Sequence, residues 1–252
     1  MPENPGMSRR KLIGLGAATI ASAALPDAIL GLSQAAAAAT GPTPGIGYFA
    51  RFGVTEKMLK DGLSAALSRG ADYADLFFQH RVSNGLGLED GEVNRASTSV
   101  ELGVGVRAIK GDQTGYAYTE ELTPEALLLA AKTAAAIADG PATPAPKGLK
   151  VGGALPARYP VKTRWEDVRP QQKLPLLSGL NEKVLAADRR IRKVNVSFGD
   201  EAGAILIADS NGRIVEDLQP MTRLYLSCVA EQDGKKETNG YNVAGRADIG
   251  FY

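Results

Sequence analysis

Two side chains in this 252-residue sequence are of the kinds that most often hold a metal ion or attack a carbonyl: His80, the only histidine, and Cys228, the only cysteine. A zinc site needs three or four protein ligands, usually His and Cys. Two candidates so far apart in sequence do not make one, and a single cysteine forms no internal disulfide. Acid–base chemistry would need carboxylates held together, and the pairs to consider are Asp72 with Asp75 and Glu120 with Glu121. They lie at the ends of candidate elements, where charges are ordinarily solvated, so catalysis is not expected of them. The sequence has no His-Glu-x-x-His, no Cys pair, no phosphate-binding Gly-rich loop and no Gly-x-Ser-x-Gly elbow. Gly103-Val104-Gly105 is a fragment of a dinucleotide fingerprint, but it sits inside an alternating strand rather than ahead of a helix. No catalytic, cofactor-binding or metal residue is assigned, and no cofactor is expected in this chain.

The elements that would position these residues read clearly. Thr55 to Leu67 has an N-cap and apolar residues at helical spacing, and Gly70 stops it. Tyr73 to Val82 is a strand that puts His80 in phase with Ala74, Leu76, Phe78 and Val82. That phase makes His80 a part-buried structural residue rather than a ligand. Asp90-Gly91 is a turn with positive φ between Leu86 and Val93. Ser99 to Lys110 alternates through Val100, Leu102, Val104, Val106 and Ala108, and Thr114 to Thr119 returns after Gly111. Thr123-Pro124-Glu125 opens an Ala-rich helix running to about Ala138.

A second set follows: a helix at Gln171 to Ala187 with Pro175 in its first turn, strands at Lys193 to Phe198 and Ala204 to Asp209, a turn at Ser210 to Arg213, and a strand at Thr222 to Glu231. There Cys228 shares a face with Leu226 and Ala230 as a small buried hydrophobe. The fold class is α+β: two units, each a helix plus an antiparallel sheet. Gly91, Gly111 and Gly115-Tyr116 correspond in order to Gly212, Gly234 and Gly240-Tyr241. Duplication of one unit is one reading of that rhyme, and independent turn chemistry is the other.

The chain divides into an export signal at residues 1–39, a first α+β domain at 40–140, a Pro/Gly-rich linker at 141–160 and a second α+β domain at 161–252. The leader carries Ser8-Arg9-Arg10-Lys11, then an uncharged Gly/Ala-rich run to Leu25, then alanines to Ala39. This order resembles a twin-arginine signal and implies an exported or periplasmic protein. The run is too short to span a bilayer, so no stable membrane anchor is expected after cleavage. The net charge is +1 and the leader supplies it, leaving a neutral body. A neutral body lacks the clustered cations that nucleic acid requires, so no nucleic-acid partner is expected.

Residues 84–123 are similar to the N-terminal signature of the TldD/PmbA family, at Gly87-Leu88-Glu89-Asp90-Gly91-Glu92-Val93, Glu101-Leu102-Gly103-Val104-Gly105-Val106-Arg107 and Thr114-Gly115-Tyr116-Ala117-Tyr118-Thr119. The resemblance extends to Ala208-Asp209-Ser210-Asn211-Gly212 and Val243-Ala244-Gly245-Arg246, and its wording is nearer TldD than PmbA (TldE). It implies a two-part metallopeptidase that cuts small or unfolded peptides and pairs as a homo- or heterodimer with a TldD/TldE-type subunit. It implies zinc on a His-Glu-x-x-x-His helix and a distant cysteine in a C-terminal catalytic half, which is not among these residues. Cys228 is not equated with that cysteine. The expected role is the N-terminal, non-catalytic portion of an exported TldD-like enzyme, forming substrate-cavity wall and dimer surface. The alternative is a stand-alone, non-catalytic TldE/PmbA-like partner or peptide-binding module.

Overall fold

The computed structural model describes residues 46–136, 148–151 and 158–252. The expected leader at 1–39 lies outside the described residues, as does most of the expected linker at 141–160. Helix α1 (Glu56–Leu67) is capped by Thr55, whose hydroxyl accepts the Met58 N–H at 3.2 Å. Strands β1 (Tyr73–Glu89), β2 (Glu92–Lys110) and β3 (Gln113–Thr119) follow, then α2 (Pro124–Ala135), capped in the same way by Thr123. After the two-residue β4 (Lys150–Val151) come α3 (Pro170–Ala187), β5 (Ile191–Asp209), β6 (Arg213–Gln232) and β7 (Lys235–Gly245).

The two units share one seven-stranded sheet. Its order is β3-β2-β1-β5-β6, with β4 and β7 on successive stretches of the outer edge of β6. All long pairings are antiparallel, and β4 alone is parallel. The seam is β1 against β5, in unbroken register from Asp75–Asp209 to Glu89–Asn195. The α+β class therefore holds, with the two expected sheets fused into one.

The strands run longer than their apolar patterns. Gly199 to Gly203 reads as a break between two short strands, yet β5 runs straight through it. There β5 pairs with β1 on one side and β6 on the other, so its backbone groups are satisfied whatever the side chains. Pro220 sits inside β6, in the stretch between the β4 and β7 pairings. A proline cannot donate to a ladder, and an unpaired edge tolerates it. Helix α3 begins at Pro170, so Pro175 lies in its second turn rather than its first. The Asp90-Gly91 turn forms as expected, with φ of 51° and 89°, and Asp233-Gly234 makes a like turn with 52° and 75°.

Helices α1, α2 and α3 pack on the same face. The even-numbered residues of β1, β2, β5 and β6 point to it and form two apolar clusters. The first joins Leu59, Leu63 and Leu127 from the helices to Leu76, Phe78, Val106 and Leu206. The second joins Trp165 and Leu177 to Leu88, Val196, Phe198 and Leu224. Among the described residues, nothing covers the opposite face.

Candidate functional site

Because side chains alternate along a strand, the uncovered face is set by the odd positions of β1, β2, β5 and β6 and the even positions of β3 and β7. Seven glycines fall on it: Gly85 and Gly87 in β1, Gly103 and Gly105 in β2, Gly199 and Gly203 in β5, and Gly240 in β7. Gly85 and Gly199 are direct cross-strand partners. Glycine weakens a strand, and inside one it marks a place where another backbone or a ligand comes close.

The paving makes two clefts. One, of about 480 Å³, has Gly85, Gly87 and Gly199 as its floor and is bordered by Arg95, Arg223 and Tyr225. The other, of about 430 Å³, lies over Gly103 and Gly105 between Phe77, Tyr116 and Tyr118, with Glu101 at its border. Tyr116 and Tyr118 are 64% and 71% exposed, so this second cleft has aromatic walls open to solvent. A Cβ on Gly105 would come within 2.6 Å of the Tyr116 hydroxyl, so only glycine admits that ring here.

A separate cluster of ionisable groups with altered environments lies under the helix-side face. The Tyr48 hydroxyl contacts His80 Nδ1 at 2.7 Å and donates to Glu166 Oε1 at 3.0 Å. The Arg51 guanidinium stacks on the Tyr48 ring at 3.6 Å and lies 3.7 Å from Glu166. Burial, reinforced by the Glu166 charge, pushes the Tyr48 pKa up to about 12. Burial and then Arg51 lower the His80 pKa, with Glu166 opposing them. Glu216 accepts the Tyr48 N–H at 2.8 Å, and burial raises its pKa. This cluster fastens the segment ahead of α1 and the turn at Trp165–Asp167 to one point of the sheet. Between the two apolar clusters lies a buried ion pair, Lys173 with Asp200, extended by Asn84 and Thr98.

His80 is 9% exposed and Cys228 4%, both on the helix-side face. They align with β5 residues 204 and 194, which puts them roughly 33 Å apart along the strands. Burial raises the Cys228 thiol pKa, which keeps it protonated. Among the described residues no three His, Cys, Asp or Glu side chains are gathered for a metal ion. The residues present here therefore do not fit a zinc centre. Of the carboxylate pairs, Glu120 and Glu121 are both exposed, and Asp72 and Asp75 take different partners. Asp72 accepts the Gly111 N–H at 2.9 Å, while Asp75, expected to be solvated, is buried because Arg107 pairs with it. Sequence reading missed the glycine-paved face. Its signal was Gly-x-Gly inside alternating strands, at 85–87 and 103–105, of which only the second was weighed, and that as a nucleotide motif.

Two signatures of one family match the chain, the PmbA/TldA metallopeptidase domain 1 over residues 74–138 and the PmbA/TldA metallopeptidase central domain over 163–251. The chain belongs to the PmbA/TldD family. It is 31% identical over 186 residues to a protein of Haemophilus influenzae described as a metalloprotease TldD homolog, covering 73% of this chain and 38% of that one. It is 28% identical over 190 residues to a TldD homolog of Buchnera aphidicola from Acyrthosiphon pisum, covering 75% and 39%. The chain thus spans well under half the length of these relatives. Among solved structures it resembles a Bacteroides thetaiotaomicron protein described as a candidate modulator of DNA gyrase, with TM-score 0.61, 18% identity, and 76% and 45% of the two chains covered. It also resembles TldE from Thermococcus kodakarensis, with TM-score 0.55, 19% identity, and 76% and 42% covered. These likenesses are of fold.

Proposed function

We propose that these two domains form the non-catalytic wall of a peptide cavity in a TldD-like metallopeptidase. The observation that carries this reading is the open sheet face with seven glycines, a surface on which an extended peptide main chain can lie close. The zinc and the residue acting on its water would come from residues other than those described here. The outer edge of β2 at 92–103 is unpaired among the described residues and is exposed on both faces through residue 101. Unpaired edges join other chains, and this edge supports pairing with a TldD- or TldE-type subunit. The Arg9-Arg10 leader supports export by the twin-arginine route. Replacing both arginines by lysine is expected to hold the precursor inside the cell, and unchanged export would refute that part.

The wall reading is tested with an extended peptide bearing a benzophenone. Photo-crosslinks mapped by mass spectrometry should fall on open-face residues such as Phe77, Tyr118 and Tyr225. Crosslinks confined to α1, α2 and α3 would overturn the reading.

A further inference from the structure

The two clefts on the open face differ in charge. The cleft over Gly85 and Gly199 is bordered by two guanidinium groups, Arg95 from β2 and Arg223 from β6. Arg95 is the direct cross-strand partner of Gly87 and Arg223 that of Gly199, so the two arginines flank the glycine floor. Three strand spacings across the sheet and a two-residue offset along it put their backbones about 16 Å apart. Neither has a carboxylate partner among the described residues, and Arg223 lies only 5.9 Å from the centre of the Tyr225 ring.

The neighbouring charges on this face are already answered. Glu89 is held by Lys193 and by Asn94. Glu201 pairs with Arg81 at 3.4 Å. The cleft therefore carries two uncompensated positive charges over bare backbone. Asn94, Ser97, Asn195 and Ser197 add polar groups along its border. A guanidinium presents a planar fork of donors that matches a carboxylate.

We infer that this cleft recognises an acidic peptide segment, laid extended on the glycine floor with its carboxylates taken by Arg95 and Arg223. That the ligand is a peptide rests on the cavity-wall reading; that it is acidic rests on the two arginines. A nucleic acid is disfavoured because two cations on a neutral body fall short of the several phosphate contacts that binding needs. The second cleft, with Glu101 at its border and aromatic walls, has no such preference, so the acidic segment is directed to one end of the face.

The test is fluorescence anisotropy of labelled hexaglutamate, hexaglutamine and hexalysine titrated onto the full chain. Hexaglutamate should bind at least about tenfold tighter than hexaglutamine, and its affinity should fall as salt is raised. The double variant Arg95→Gln/Arg223→Gln, two exposed positions, should erase that preference without changing the circular dichroism spectrum. Gly199→Leu offers a block that spares the sheet, since the nearest foreign atom to its added Cβ is the Asn84 carbonyl oxygen at 3.8 Å. It should weaken hexaglutamate binding while leaving both arginines in place. Equal binding of all three peptides, or a preference that survives the double arginine variant, overturns this inference and leaves the cavity wall standing. Binding of none of them overturns both.

Discussion

The two units follow one plan and cover it differently. Each sends a helix into a long hairpin and then a third strand, and from the β1–β5 seam the order reads outward alike on both sides. The first unit is roofed by two helices. Gly62 in α1 lets Leu127 of α2 approach so closely that a Cβ would lie 2.9 Å from a Leu127 methyl, and alanines line α2 at Ala130, Ala131 and Ala134. The second unit has one helix, and aromatic rings fill the rest. Trp165 lies 5.6 Å from Phe198, and Phe198 lies 5.1 Å from Tyr252. The first core combines a close helix–helix contact with the rings of Tyr48, Phe49 and Phe78, and holds no buried charge pair among the described residues. The second sets the rings of Trp165 and Phe198 beside a buried Lys173–Asp200 pair. Shared strand architecture fixes where a core must be, not how it is filled.

The sharpest way to break the comparison is to remove the charge that only the second unit buries. Lys173→Met leaves Asp200, whose side chain is 1% exposed, without its cation, and should cost about 3–5 kcal/mol in denaturant unfolding. Adding Asp200→Asn should recover most of it, because an amide still accepts from Asn84. A loss under 1 kcal/mol for the single variant would mean that the pair is not desolvated.

Next comes a glycine contrast. Gly62→Val forces bulk against Leu127 and Leu76 and should destabilise by about 1–3 kcal/mol. Gly179, in α3, has nothing within 4 Å of an added Cβ, so Gly179→Ala should stabilise by about 0.5–1 kcal/mol through helix propensity. Equal effects in the two helices would erase the difference in packing proposed between the units.

The smallest effect lies at His80, between the two clusters. Its pKa is lowered below the ordinary 6.5 in the folded chain, so the unfolded chain takes up more protons just below that pH. Stability from this group is present above pH 6.5 and is lost as pH falls through 6.5 toward the lowered value. Unfolding free energy should therefore drop over that window, and His80→Gln should flatten the drop. An identical profile in the variant would assign the drop to groups other than His80, and not to Glu216, whose raised pKa gives a slope of the opposite sign.

The comparison also marks where sequence symmetry fails. Gly115-Tyr116 and Gly240-Tyr241 rhyme in sequence, but Tyr116 stands on the open face while Tyr241 pairs with Leu226 on the helix side. A one-residue change of register moves a side chain to the opposite face. The similarity of these pairs is therefore one of turn chemistry and spacing, not of position.

The sequence by itself determined the local decisions. Thr55 and Thr123 start helices because their hydroxyls satisfy N–H groups that a helix leaves open. Asp90-Gly91 turns the chain because glycine tolerates positive φ. The alternation of β2 and β6 set which of their residues could be buried together, and His80 and Cys228 read as buried from their phase. Only the tertiary structure decided that both units share a single sheet, because the β1–β5 pairing joins residues more than a hundred positions apart through backbone hydrogen bonds that carry no sequence label. It also decided that α1, α2 and α3 lie on one face. Val100, in phase with buried neighbours, is 62% exposed because no helix reaches it. The open glycine face, with Arg95 and Arg223 brought to one cleft from β2 and β6, exists only after four strands are laid side by side.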